Sequence, residues 1–326
     1  MALLEVKDLR VVFHTEGGTL HAVDGVSLSA EKGRTLGIVG ESGCGKSVTA
    51  HSVLRLIPNP PGDIVSGEVI WKDRDILRLP QSQMPKVRGA EIAMIFQDPI
   101  TSLNPVFSIR KQMTEVIQRR YGLMGEAANR KAMEALTQVG IADADRRLRN
   151  YPHEMSGGMK QRVMIAMALL QEPDLLIADE PTTALDVTIQ KQILYLMREL
   201  QKRREMALIL ITHDLGVVAE TADDVTVMYA GRIVESAPVV DLFEDPKHPY
   251  THGLIASIPR HGVSKEEELA TIEGVVPSLF NPPKACRFAG RCPRAKDYCR
   301  EVDPQLREIK PGHMVACHFP IGEEES

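Results

Sequence analysis

Residues Gly40–Ser47, GESGCGKS, match the pattern G-x-x-x-x-G-K-S/T, whose chemistry is the binding of phosphate groups. Glycines at Gly40, Gly43 and Gly45, with Ser42 between them, let backbone N–H groups turn inward onto phosphate oxygens. A helix that starts there adds the partial positive charge of its N-terminus. Lys46 can then reach the β- and γ-phosphates, and Ser47 can ligate Mg2+. Cys44 stands at a variable position of the loop and reads as a small filler. A second constellation, LLIADE, is an apolar run closed by Asp179 and Glu180. Asp179 would hold Mg2+ through water, and Glu180 would orient and deprotonate an attacking water. Two adjacent acids at a strand end mean little alone, but downstream of a phosphate loop they spell nucleotide hydrolysis.

Such residues work only if strands and helices deliver them to one place. The short apolar run Thr35–Val39 feeds the glycine loop, and a helix over Lys46–Leu56 follows it, ended by Pro58, Pro60 and Pro61. Upstream, LEVKDLRVVF and HAVDGVSLSA read as two strands split by a turn at Thr15–Thr19. These two look like an antiparallel β-lobe, and Trp71, in the strand-like EVIWKD, reads as packing there rather than as a ligand platform. Between Arg110 and Leu148, residues Met113, Val116, Ile117, Ala132, Leu136 and Val139 recur at helical spacing. Strand-like runs return at Leu175–Ala178, Ala207–Thr212 and Asp224–Met228, with helices between. Lys202–Arg204 reads as a solvated helix end. Alternating strands and helices predict an α/β fold with a parallel sheet. After Val240 the composition turns to Pro, His, charge and Cys, so a boundary is expected there, giving domains 1–240 and 241–326. Glu323–Ser326 reads as a frayed acidic end.

The bulk properties narrow the class. A chain of 326 residues with 43% hydrophobic and 25% charged content has ample core material. A net charge of −5 and a pI near 6.1 argue against nucleic acid as a partner. No secretory leader is apparent at Met1–Val6, and apolar runs such as Val163–Leu170 are far short of a bilayer span. The chain is expected in the cytosol, and any role at a membrane requires a partner that supplies spanning helices.

The segment YPHEMSGGMKQR resembles the signature loop of the ATP-binding cassette family, with Ser156, Gly157 and Gly158 intact. Met155 and Met159 replace that motif's usual Leu and Gln. Further elements follow in the family's order: Gln97 in FQDP resembles the Q-loop, Ala184–Asp186 the D-loop, and His213 in ITHD the switch histidine. The resemblance covers about Leu3–Pro238 and implies a P-loop NTPase cassette: a RecA-like parallel core, an antiparallel β-lobe and a helical subdomain. It also implies that two cassettes sandwich ATP head to tail, Ser156, Gly157 and Gly158 of one facing the γ-phosphate held by the other. Gln97 would sense Mg2+ and the γ-phosphate, His213 would hydrogen-bond that phosphate near Glu180, and Asp186 would lie at the nucleotide interface. Phe13 stands where the family places an adenine-stacking ring, and equally reads as a core residue.

Cys286, Cys292, Cys299 and Cys317 crowd the C-terminal segment with spacings C-x5-C, C-x6-C and C-x17-C. Disulfides are unusual in a reducing cytosol. Four thiolates in a small Pro-rich segment suit a metal or an iron–sulfur cluster, although the lack of a C-x2-C pair counts against a zinc ribbon. Together with His248, Pro249 and Tyr250 in KHPYTHGL, this tail resembles the C-terminal extension of oligopeptide and dipeptide importer ATPases, of the dipeptide type with a four-cysteine 4Fe-4S site. That resemblance puts the cluster first, zinc second and unliganded core thiols third, with His313 and His318 as alternate ligands. It implies an ATPase at the cytoplasmic face of the membrane, with a second cassette subunit, a paralogue, two transmembrane permease subunits and an extracytoplasmic binding protein. Import of a sugar or metal chelate, and a soluble cassette acting in DNA repair or translation, are the rival readings. The last of these lacks both a coiled-coil insertion and a second motif set to support it.

Overall fold

A computed structural model describes residues 2–97, 102–182, 185–258 and 271–323. The chain forms two compact units: Met1–Glu31, Thr35–Arg78 and Leu210–Ser326 make the first, Lys32–Arg34 and Leu79–Ile209 the second.

The first unit opens with β1 (Ala2–Thr15) and β2 (Gly18–Glu31), an antiparallel hairpin. Leu4, Val6, Leu9 and Val11 are buried on β1. The spacing of two slips once, where a bulge around Asp8 (φ +44°) resets the register. β4 (Gly62–Trp71) pairs with β1, and β5 (Arg74–Asp75) pairs with β4, completing the antiparallel lobe. Trp71 is fully buried within it.

A second sheet of the same unit is built on β3 (Thr35–Val39), whose five residues are all buried, as expected of a parallel strand covered on both faces. β9 (Asp224–Tyr229) lies parallel to β3, and β10 (Arg232–Pro238) antiparallel to β9. The C-terminal segment then adds β12 (His313–Val315) to β10 and β11 (Arg307–Lys310) to β12. The helix after the glycine loop runs Lys46–Val53, shorter than the composition predicted. Arg55 (φ +51°) turns the chain out of it before the first proline is reached.

In the second unit β6 (Ile92–Ile95) pairs parallel with β7 (Leu175–Asp179), again fully buried. The helical segment resolves into Ile109–Tyr121, Gly125–Gln138 and Ala144–Arg149. Of the residues picked out by spacing, Met113, Ile117, Ala132, Leu136 and Val139 are buried and Val116 is half-buried; Ile109, Ala128 and Ala135 join the same buried faces. The helix Val187–Arg204 ends in the exposed basic turn Lys202–Arg204. β8 (Ala207–Ile211) carries the chain back to the first unit.

Glu235 of β10 shows how the C-terminal segment is held. Its side chain is fully buried and accepts from the amides of Lys247 (2.7 Å) and His248 (2.9 Å), with His313 Nε2 of β12 at 2.7 Å. Burial pushes the carboxyl pKa up, yet the hydrogen bonds from His313 and these amides outweigh it and leave the net value below the usual 4.5. A carboxyl with a depressed folded-state pKa contributes stability that is fully present above the unfolded value and lost as pH falls through the folded one. Glu235→Gln is therefore expected to cost about 3 kcal/mol at neutral pH. The deficit should shrink as the pH drops below 4.5, which denaturant unfolding at both pH values would measure.

Candidate functional site

The glycine loop of the first unit is shaped by two close approaches of backbone. A Cβ on Gly40 would lie 2.1 Å from the Met228 carbonyl oxygen, and one on Gly45 would lie 2.5 Å from the Ala22 carbonyl oxygen. Both residues have positive φ, +147° and +104°. The Gly231 amide donates to the Cys44 carbonyl (2.9 Å), so the turn between β9 and β10 grips the loop as well. Ser42 and Gly43 are exposed at its tip, and Ser47 is half-buried in the first helical turn. Lys46 is buried and donates from Nζ to the carbonyls of Gly40 (2.7 Å) and Glu41 (3.0 Å). Cys44 is buried, its Sγ 3.7 Å from that ammonium, in keeping with a filler.

His213 of the same unit is exposed in the bend after β8, where the Asp214 amide donates to Thr212 Oγ1 (3.0 Å). Asp214 then caps the helix Leu215–Thr221 through Val217 N (3.1 Å). Phe13 is half-buried on β1, opposite Leu20 and Gly62. Its ring edge would sit 2.8 Å from a Cβ on Gly62, so packing in the β-lobe accounts for one side of it.

The second unit carries the acidic strand end. Asp179 is buried at the end of β7, and Glu180 follows in the left-handed region at φ +46°. A non-glycine residue held there marks a site where the fold sets a side chain at some cost. Gln97, just past β6, donates from Nε2 to Glu180 Oε2 at 3.2 Å. Asp98 and Pro99 of the same motif lie outside the described residues. Ser156 caps the helix Gly157–Leu170, accepting from Met159 N (3.4 Å). Ser156 and Gly157 are exposed and Gly158 half-buried, so the amides of this helix start face outward. Gln161 of that helix is fully buried and donates to the Pro181 carbonyl, tying the helix to the residue after Glu180. Asp186 caps the helix Val187–Arg204 through Ile189 N (3.0 Å), and Ala184 lies outside the described residues.

Cys286, Cys292, Cys299 and Cys317 line one cavity of about 20 Å³, with His318 and Phe288 in its wall. All four are free thiols. Burial pushes the Cys286 and Cys292 thiols up and takes Cys317 to about 12, so these sulfurs keep their protons at neutral pH unless a cation displaces them. Among the described residues, no three His, Cys, Asp or Glu side chains converge as closely as a single metal ion requires. His318 Nε2 lies 3.0 Å from the Val302 carbonyl, and His313 pairs with Glu235.

Arg291 has no mark in the sequence, Tyr250 stands there only as part of the family resemblance, and Glu41 carries no assigned role. His248 caps the helix Pro249–Ala256 through the Tyr250 amide (3.0 Å), and burial depresses the imidazole pKa to about 4, which keeps it a neutral acceptor. Tyr250, placed by that cap, accepts from the Glu41 amide through its hydroxyl (3.0 Å). The signal available beforehand was Glu41 itself, since an acid inside a phosphate loop calls for a cation nearby.

The fold is that of an ATP-binding cassette, the nucleotide-hydrolysing class of P-loop proteins. A family model described as ABC transporter matches residues 23–183, and one described as the C-terminal region of oligopeptide/dipeptide transporters matches residues 234–299. A probable peptide ABC transporter ATP-binding protein of Sinorhizobium fredii is 56% identical over 97% of this chain and 94% of that one. An oligopeptide transport ATP-binding protein of Bacillus subtilis is 53% identical over 96% and 87%, and a dipeptide transport ATP-binding protein of Escherichia coli is 46% identical over 99% and 98%. Among solved structures, the ATP-binding cassette MJ0796, a dimer in a post-hydrolysis state bound to ADP and Pi, superposes with TM-score 0.66 at 26% identity, covering 72% of this chain and 98% of that one. The chain belongs to the ABC transporter ATPases of the oligopeptide/dipeptide importer family, and it is an ATPase.

The two backbone approaches predict that Gly40→Ala abolishes ATP binding, because its methyl would have to occupy the Met228 carbonyl. Titration calorimetry with ATP would check this, and retained affinity would contradict the loop geometry.

Proposed function

We propose that this chain is the motor of a peptide importer, seated peripherally on permease subunits at the cytoplasmic face of the membrane. Among the described residues no helix is long and apolar enough to cross a membrane, so in this reading the spanning helices belong to partners. The observation that carries the peptide cargo is the matched C-terminal region at 234–299, described for oligopeptide/dipeptide transporters, on a chain related along almost its whole length to peptide transport subunits. In this reading residues 1–240 form the cassette and 241–326 an extension specific to such importers. A paralogous cassette, two permease subunits and an extracytoplasmic binding protein complete the machine.

The site residues take these roles. Backbone amides of Gly40–Ser47 cradle the phosphates, and Lys46 exchanges its loop carbonyls for phosphate oxygens. Ser47, Gln97 and Asp179 would hold Mg2+, which when bound neutralises charge on the β- and γ-oxygens. Glu180 takes the proton of the attacking water, and the Gln97 amide at 3.2 Å orients that carboxylate. His213 donates to the γ-phosphate. Ser156, Gly157 and Gly158 present their outward helix start to nucleotide held by the partner cassette, with Asp186 at the same interface, while Phe13 would stack its ring on adenine. Closure around ATP and reopening after hydrolysis would tilt the permeases between inward- and outward-facing states.

The four cysteines we assign to a 4Fe-4S cluster. What supports this reading is that Cys286, Cys292, Cys299 and Cys317, far apart in sequence, all line one cavity; zinc is the second choice. When bound, the cluster would hold the four cysteines as thiolates, their protons released to solvent, and staple a segment poor in apolar residues.

Two measurements test these assignments. In the complete transporter, Glu180→Gln should bind ATP and trap the closed dimer while hydrolysis and peptide uptake fall by at least roughly a hundredfold; unimpaired turnover would refute the assigned base. Protein purified anaerobically should carry iron and acid-labile sulfide lost together in Cys292→Ser, and stoichiometric zinc without iron would overturn the cluster.

A further inference from the structure

The phosphate loop contains an acid. Glu41 directly follows Gly40, and a carboxylate there would repel an incoming triphosphate, the more so because its side chain is only 27% exposed and poorly screened. The C-terminal extension meets that charge. Arg291 grips the Glu41 carboxylate with both ends of its fork, Nη1 to Oε2 at 2.8 Å and Nη2 to Oε1 at 3.0 Å. Its own side chain is 7% exposed and fixed from behind: Nη2 donates to the Ile272 carbonyl (2.9 Å), Nε to the Glu273 carbonyl (3.0 Å), and the guanidinium lies 5.8 Å from the Tyr229 ring centre. Glu41 is held at its other end as well, by the Tyr250 hydroxyl on its amide.

We infer that Arg291 is a positioning residue of the ATP site, which cancels the charge of Glu41 and, with Tyr250, fixes the peptide whose carbonyl holds Lys46. The inference rests on reading Gly40–Ser47 as the phosphate loop, and it gives the extension a part in nucleotide binding within the same chain. Arg291 acts through Glu41 and need not touch the nucleotide. The cost of losing it is therefore electrostatic, and removing the acid should relieve it.

The test is a double-mutant cycle on the full-length chain, with ATP affinity measured at low and high salt and KM and kcat measured in the complete transporter. Arg291→Gln is expected to weaken ATP binding roughly tenfold at low salt, chiefly in KM, with the deficit shrinking as salt rises. Arg291→Gln combined with Glu41→Gln should bind ATP more tightly than Arg291→Gln alone. Arg291→Lys, which keeps the charge and loses the fork, should fall between wild type and Arg291→Gln, and it serves if the glutamine variant does not fold. Unchanged affinity in Arg291→Gln, or a double variant no better than the single, would overturn the inference and leave Arg291 a structural staple. Lys46→Ala in parallel separates the two claims: if it too leaves affinity unchanged, the loop assignment itself fails.

Discussion

Two carbonyl oxygens, from Met228 and Ala22, leave no room for a side chain at Gly40 and Gly45, and the rest of the nucleotide loop follows from that wedge. With a Cβ at either point the loop could not lie between β9 and β2, and its amides could not turn inward. The wedge also needs both carbonyls to stay in place. β9 is held by its parallel pairing to β3, and β2 by the Asp24 amide, which donates to the Gly231 carbonyl (2.9 Å) while the Gly231 amide donates to Cys44. One turn thus fastens the hairpin and the loop to the same point.

The same region carries an electrostatic knot. Asp24 of β2 accepts from Arg10 of β1, Arg232 of β10 and Arg287 of the C-terminal segment. Burial would raise its carboxyl pKa, but the three guanidinium groups, Arg232 foremost, hold it below the usual range. Arg287 also donates to the Ala230 carbonyl, next to Gly231. Beside this knot, Tyr229, Tyr250 and Phe288 pack ring to ring, with centroids 4.6 to 5.4 Å apart, in a core shared with Val39 and Val227. The first unit therefore combines strand pairing, a charged node and an aromatic cluster, all drawing the C-terminal segment toward the loop.

Much of this was legible in the chain. The strands Thr35–Val39 and Leu175–Asp179 are continuous apolar runs bounded by turn residues, and Met113 and Ile117 keep helical spacing, so periodicity places them. Gly40, Lys46, Asp179 and Ser156 sit in motifs whose chemistry is local. What could not be read is long-range. That β12 would pair with β10, and that Glu235 would gather Lys247, His248 and His313, depends on contacts between residues far apart in sequence, in segments without periodic patterning. Arg291 looked like one basic residue among many, and the HPY triplet looked like a family mark. The structure gives it a physical role: the imidazole caps a helix, the proline fits its first turn, and the phenol reaches the loop.

The internal partners of Lys46 bear on the shape of the loop itself. Its buried ammonium rests on the Gly40 and Glu41 carbonyls, so the chain satisfies its own cation and leaves no bare charge in a buried place. The lysine thereby ties the start of the loop to the helix behind it, a brace drawn across the mouth of the turn.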